Sequence, residues 1–224
     1  GSPSGGKSMK ALFQTIVVAV SGSGNVAQYA IEKVTQMGKK IAALESELAA
    51  ATQASREDFL TKLFNKRAIE EYLTIKEAEY ERHGRGFCVA MLDLDHFKSV
   101  NDTYGHLVGD HVLRFLTQSL EGQSRDIDQI CRWGGEEFGV VLPGANTEQA
   151  LMVAERIRSS LAEMELRASD GQVIASPTVS QGIATFPDMV GSSSELVDVA
   201  DQALYHAKSK GRDQIRIANL RVGN

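Results

Sequence analysis

The chain has 224 residues, 42% hydrophobic and 24% charged, with a formal net charge of -5. That length holds one ordinary domain plus an extension, and the balance is that of a globular protein rather than a disordered one. The negative charge argues against a nucleic-acid binder, which needs a dominant basic face, but it leaves room for one nucleotide held by a few cations.

Residues 1–8 read as a tag or an unstructured end. The longest apolar stretch, Ile16 to Val20, falls far short of the roughly 18 residues a bilayer span needs, so a cytoplasmic protein with no membrane span is expected. From Phe13 to Ser55 the pattern is helical. Val34, Met37, Ile41, Leu44, Leu48 and Ala51 recur in steps of three and four, and the register runs back through Ala30, Ala27, Val20, Ile16 and Phe13. A stripe this narrow cannot bury itself, so residues 9–55 are expected to form a coiled-coil stalk that pairs with a second copy.

The same region carries a competing signal. Gly22-Ser-Gly24-Asn-Val-Ala27 follows an apolar run and fits a dinucleotide-binding fingerprint, with Glu45 about 20 residues further on. Locally it resembles the cofactor loop of glutamate dehydrogenases. That fold needs several further βαβ units, whereas here the helical pattern continues into Leu48 and Ala51. Gly22 and Gly24 are therefore assigned to a weak point in the stalk, each glycine costing about 1 kcal/mol in a helix. Nicotinamide cofactor binding is not expected.

Ser55 followed by Asp58 looks like a capping box with Asp in place of Glu, which predicts a helix start there, ended or re-capped at Asn65. A second helix is predicted over Lys66–Arg82, ending near Gly84. Strands and helices then alternate. Strands are predicted at Phe87–Asp93, Asp128–Trp133, Glu137–Leu142, Pro177–Phe186 and Gln214–Ala218, and helices at Gly109–Glu121, Thr147–Ala162 and Ser194–Lys210. Gly134-Gly135 between two strands marks a β-hairpin. The fold class is α/β (α+β), with helices flanking a central mixed sheet of five strands. Cys88 and Cys131 lie in apolar runs and are expected to be buried, reduced thiols.

Two constellations carry chemistry. In Asp93-Leu-Asp95-His-Phe-Lys98 a buried strand ends in two carboxylates on one face. Such a pair fits a hard divalent cation between them, or merely a solvated strand end. In Arg132-Trp-Gly134-Gly135-Glu136-Glu137-Phe138 two glycines let a ligand approach the backbone and two acids follow; a bare hairpin turn fits equally.

Four motifs together resemble the GGDEF family of diguanylate cyclases, in the GGEEF variant: Asp58-x-Leu-Thr-x-Leu-x-Asn65, Asp93-x-Asp-x-Phe-Lys-x-x-Asn-Asp-x-x-Gly-His-x-x-Gly-Asp110, Gly134-Gly-Glu-Glu-Phe138 and Ala203-Leu-Tyr-x-Ala-Lys208-x-x-Gly-Arg212. Lys66 intervenes after Asn65, where the family usually has Arg. The resemblance implies a fold related to nucleotidyl cyclases and polymerase palms over residues 56–220. It implies condensation of two GTP into cyclic di-GMP across a homodimer of domains, with Mg²⁺ or Mn²⁺ as cofactor. Asp93, the carbonyl of Leu94, and Glu136 match the metal ligands. Glu136 also matches the group that activates the 3′-hydroxyl, and Glu137 supports the second metal. Asn101 and Asp110 match the guanine readers. Lys98, Lys208 and Arg212 match the phosphate-binding groups, helped by the backbone of His96 and Phe97, with Gly134 and Gly135 beside the ligand. Arg125-Asp-Ile-Asp128 matches the RxxD inhibitory site for the product, with Arg156 as a further contact. A regulatory protein acting on the stalk is a further implied partner. The alternative the sequence leaves is a non-catalytic receptor of cyclic di-GMP or GTP.

Overall fold

The computed structural model describes residues 24–54, 56–163, 166–167, 171, 173–174 and 176–219. Phe13, Ile16, Val20, Gly22, Ser55 and the putting of residues 1–8 aside as a tag lie outside these. The chain divides into two compact units between Ser55 and Arg56.

The described part of the first unit is one helix, α1, Gly24–Ala54. Met37, Ile41, Leu44 and Leu48, all on the apolar stripe, are 62%, 40%, 54% and 68% exposed. This geometry bears directly on the dinucleotide fingerprint. The strand β1 that follows α1 is only two residues long, Phe64–Asn65, and pairs inside the sheet of the second unit. Among the described residues no helix is long and apolar enough to cross a membrane.

In the second unit the helices are α2, Lys66–His83; α3, Phe97–Tyr104; α4, His106–Gln123; α5, Thr147–Ala162; and α6, Ser193–Ser209. The strands after β1 are β2, Phe87–Leu94; β3, Gln129–Arg132; β4, Glu137–Pro143; the short pair β5, Leu166–Arg167 and β6, Val173–Ile174; β7, Val179–Phe186; and β8, Ile215–Ile217. The main sheet runs β1-β3-β4-β2-β7-β8. It is mixed: β2 is antiparallel to β4 and β7, while β1–β3 and β7–β8 are parallel. The five expected strands are all present, and β1 adds a sixth at the edge.

β2 sits at the centre and all eight of its residues are buried. Its period of two splits the interior into two layers. Cys88, Ala90, Leu92 and Leu94 pack with Leu113 and Leu116 of α4 and Ala154 and Ile157 of α5. Phe87, Val89 and Met91 pack with Ile69 and Leu73 of α2 and Leu196 and Leu204 of α6. Asp93 continues the second set, so it emerges on the face covered by α6. Gly182 of β7 lets α6 come close: a Cβ there would stand 2.1 Å from the Ala200 carbonyl oxygen.

The cap chemistry explains most helix starts. Asn65 caps α2 by accepting from the Ala68 N–H, and Gly84 closes it in the left-handed region at φ 67°. Asn146 and Gln149 form a reciprocal capping box for α5, and Ser192 caps α6. Over the described residues 56–65 the predicted helix is not formed. Asp58 instead accepts from the N–H groups of Leu60 and Thr61 and from the Thr61 hydroxyl, which holds a tight turn. Short Asp side chains favour this local competition with helix. The short helix α3, absent from the predicted elements, is held by burial of Phe97 and ends where Gly105 takes φ 84°. Cys88 and Cys131 are both buried and free, and burial pushes their thiols up to about 11 and about 12.

Candidate active site

Antiparallel register places Asp93 at the end of β2 directly opposite Glu137 at the start of β4. Like charges facing each other across a ladder repel. Lys208 in the last turn of α6 answers this: its Nζ stands 2.8 Å from Asp93 Oδ2. Burial still holds the Asp93 carboxyl above the ordinary carboxylate range, against the pull of Lys208 and helped by repulsion from Glu137 and Asp95. Glu136 is raised too, first by burial and then by the negative charge of Asp93, with Lys208 opposing and Glu137 adding. A buried carboxylate and two half-buried ones held in mutual repulsion, with a lysine ammonium already drawn in, are a donor set suited to a hard divalent metal. Asp93, Glu136 and Glu137 fit that requirement by chemistry, although among the described residues no three acidic, His or Cys side chains stand grouped around one cation point.

Asp95, which the strand pattern puts beside Asp93 as a second potential ligand, is engaged elsewhere. Its two oxygens accept from Thr178, Ser180 and the Asp213 N–H.

The Gly134-Gly135 tip is built as expected. Trp133 and Gly134 both donate their N–H to the Glu137 carbonyl, at 2.8 and 3.2 Å. Arg132, which sequence reasoning left without a role, braces the turn. Its Nε donates to the Gly134 and Gly135 carbonyls and its Nη2 to Gly135 O at 2.6 Å. Its Nη1 donates to Asp58 Oδ1 at 3.0 Å. Burial alone raises the Asp58 carboxyl, but bonds from Thr61 and Arg132 outweigh it and hold the group below its ordinary value. The domain-opening turn and the hairpin are thus one hydrogen-bonded unit. An Arg beside two glycine carbonyls with no ladder partner was the available signal.

The other predicted residues are distributed around this centre. His96 precedes α3 in the left-handed region at φ 57°, and Phe97 is buried beneath it. Asn101 on α3 lies against Gly109 of α4, with Asp110 next in the chain: a Cβ on Gly109 would stand 1.9 Å from Asn101 Oδ1. Lys98 points outward and pairs with Asp102 at 3.5 Å. Arg212 is exposed on the turn after α6, itself left-handed at φ 63°. Beyond α4, Arg125 clasps Asp128 through Nε and Nη2, the shorter contact being 2.6 Å, and Asp128 raises its pKa. Arg156 reaches the same corner, donating to Gln123 O at 2.9 Å.

A central antiparallel strand carrying an acid near its end, beside a glycine hairpin carrying two more, gives a class of site in which carboxylates and one cation crowd an edge of a mixed α+β sheet. Comparison with known proteins makes the class specific. The family described as diguanylate cyclase, GGDEF domain, matches residues 55–214, and the chain belongs to it. The diguanylate cyclase DgcP of Pseudomonas aeruginosa is 38% identical over 191 residues, 85% of this chain and 28% of DgcP. The chain thus spans less than a third of that curated relative. The coiled coil and GGDEF domain of DgcB from Caulobacter crescentus, solved with c-di-GMP, superposes with a TM-score of 0.78 at 30% identity, covering 84% of this chain and 98% of that one. The diguanylate cyclase SiaD of P. aeruginosa, solved with its activator SiaC, gives a TM-score of 0.70 at 34% identity over 95% of this chain and 81% of that one. A second family, glutamate/leucine/phenylalanine/valine dehydrogenase, matches residues 7–77. Within that stretch the described residues form α1, β1 and most of α2, with none of the βαβ repetition a dinucleotide needs.

Proposed function

We propose that this chain condenses two GTP molecules into cyclic di-GMP with release of two pyrophosphates. The observation that carries the reading is Asp93 paired with Lys208 and set opposite Glu137 across the ladder, with Glu136 near enough to feel all three charges, at the end of β2 and the start of β4. A divalent cation, Mg²⁺ or Mn²⁺, held by Asp93, Glu136 and the Leu94 carbonyl with support from Glu137, would supply charge stabilisation at the phosphates and favour ionisation of the 3′-hydroxyl. The residues do the rest. Glu136, with its raised pKa, takes the 3′-hydroxyl proton of one nucleotide. That 3′-oxygen bonds to the α-phosphorus of the other, and the bond from this phosphorus to pyrophosphate breaks. Lys98, Lys208 and Arg212 hold phosphate charge, with the backbone at His96 and Phe97. Asn101 and Asp110 read the guanine edge, since a carboxylate accepts from ring N–H groups while an amide donates to a ring acceptor. Gly134 and Gly135 let the nucleotide approach the hairpin.

A site that holds one GTP needs a second domain facing it. The exposed apolar stripe of α1 supports dimerisation of residues 9–55 as the means of bringing two catalytic domains, residues 56–220, to high effective concentration. That SiaD is solved with an activator, SiaC, supports a regulatory protein as a partner, and the stalk is the place proposed for its action. Arg125, Asp128 and Arg156 form the inhibitory site for cyclic di-GMP; Arg125 can grip a guanine or phosphate bidentately once released from Asp128. The GTP pool places the reaction in the cytoplasm.

The test is turnover. With GTP and Mg²⁺ the chain, stripped of bound nucleotide, is expected to release pyrophosphate and form cyclic di-GMP, and Glu136→Ala to lose at least a hundredfold in rate. A stripped, folded, dimeric parent that forms no product defeats the reading.

A further inference from the structure

Asp95 stands just past the end of β2 and is 5% exposed. Its backbone N–H donates to the Thr178 carbonyl at 2.9 Å. Its carboxylate accepts three further bonds. The Ser180 hydroxyl donates to Oδ1 at 2.7 Å, the Thr178 hydroxyl to Oδ2 at 2.8 Å, and the Asp213 N–H to Oδ2 at 3.0 Å. The first two bonds knit β2 to the entry of β7. The third does something different: it reaches across to the turn after α6.

That turn is unusual. Arg212 and Asp213 are successive non-glycine residues in the left-handed region, at φ 63° and 43°. Such a pair persists only where its surroundings hold it. Three anchors do so. Asp95 takes the Asp213 N–H, Arg158 Nη1 donates to Asp213 Oδ1 at 3.1 Å, and the Arg212 N–H donates to the Ala207 carbonyl at 3.1 Å. Ala207 neighbours Lys208, whose Nζ meets Asp93. The acid two residues after Asp93 therefore fixes the backbone that carries Arg212, while the cation beside Ala207 contacts Asp93 itself.

We propose that Asp95 is a positioning residue for the triphosphate. By clamping the 210–214 turn to the end of β2 it holds Arg212 on the same side as Lys208, so that both cations face the phosphates of a nucleotide seated at Asp93 and Glu136. The proposal rests on the nucleotide-binding reading given above and adds to it a residue with no direct ligand contact.

The experiment measures equilibrium binding to the full chain with Mg²⁺. The probes are 3′-deoxy-GTP, which lacks the attacking hydroxyl and cannot condense, and GMP, which lacks the β- and γ-phosphates. Asp95→Ala is expected to weaken 3′-deoxy-GTP about tenfold, the scale of one charge-assisted contact, and to leave GMP within about twofold. Asp95→Asn keeps one oxygen for the Asp213 N–H and is expected to recover most of the loss. Arg212→Ala should reproduce the loss, and the double variant should be no worse than Arg212→Ala alone. Equal weakening of both probes, an unchanged ratio, or full additivity with Arg212→Ala overturns the positioning role. Should Asp95→Ala not fold, Thr178→Val removes one donor and keeps the charge. A selective loss of about threefold is then expected, and none overturns the role. A folded parent that binds neither probe defeats the nucleotide site itself, an outcome distinct from a parent that binds both beside a variant with the parent's ratio.

Discussion

Gly109→Ala separates recognition from stability. A Cβ at this position would stand 1.9 Å from Asn101 Oδ1, 3.0 Å from Asn101 Cγ and 3.2 Å from Phe97 Cζ. The first clash is with the far end of a side chain, so the relief is for Asn101 to swing away rather than for α3 to move. Overpacking of this kind costs about 1–3 kcal/mol. Gly109 lies inside α4 without positive φ, so the exchange to Ala returns about 1 kcal/mol of helix propensity. The net loss is about 0–2 kcal/mol. Recognition suffers more specifically, because Asn101 is the proposed amide reader of guanine and one such bond is worth about 1–1.5 kcal/mol. The expected result is a KM for GTP raised about tenfold with kcat changed little. Steady-state pyrophosphate release beside thermal unfolding checks both parts. The decisive control is Asn101→Ala: the two single variants should match and the double should not be worse. A parental KM for Gly109→Ala, or losses that add, would refute the argument that this glycine exists to leave room for Asn101.

Three other outcomes are expected. Gly182→Ala meets the backbone of α6, at 2.1 Å from Ala200 O and 2.3 Å from Leu204 N, and should destabilise by about 3 kcal/mol in urea unfolding, because helix backbone cannot swing aside. Arg132→Lys keeps the charge but loses the fork that bridges Gly134, Gly135 and Asp58; kcat should fall about tenfold, and Asp58, left to Thr61 and a bare charge, should be held less low, seen as a smaller loss of stability on acidification below the ordinary Asp range. The sign is opposite for Asp93 and Glu136, whose raised values mean the folded state keeps protons that the unfolded chain has released, so their contribution to stability falls as pH rises from the ordinary carboxylate range through the raised pKa values. A cation that competes with those protons should therefore raise Tm more at about pH 8 than at about pH 5, and equal Mg²⁺ shifts at both would count against a metal at these carboxylates.

Local chemistry was legible where one residue decides one thing. The unbroken apolar run from Phe87 gave β2, the Gly134-Gly135 pair gave the hairpin, and Asn65 stands at a helix start because its side chain accepts from an N–H of the first turn. The helical period of α1 was equally plain. The failures share a cause. The Ser55–Asp58 pair was read as a capping box because a cap and a tight turn use the same short acceptors, and Asp58 instead takes its donors from Leu60, Thr61 and the distant Arg132. The helix α3 is too short for propensity to reveal and depends on burial of Phe97.

What the sequence determined by itself is the set of groups: which carboxylates, cations and glycines the site has, in what chain order, on strands, turns or helices. What only the tertiary structure decided is how they are paired. Lys208 meets Asp93 across more than a hundred residues because α6 packs on the sheet face that carries Asp93, and Asp95, two residues past Asp93, is consumed by Thr178, Ser180 and Asp213. Backbone periodicity is written locally, but a buried charge takes whichever donors the fold delivers to it, and those come from chain segments far away.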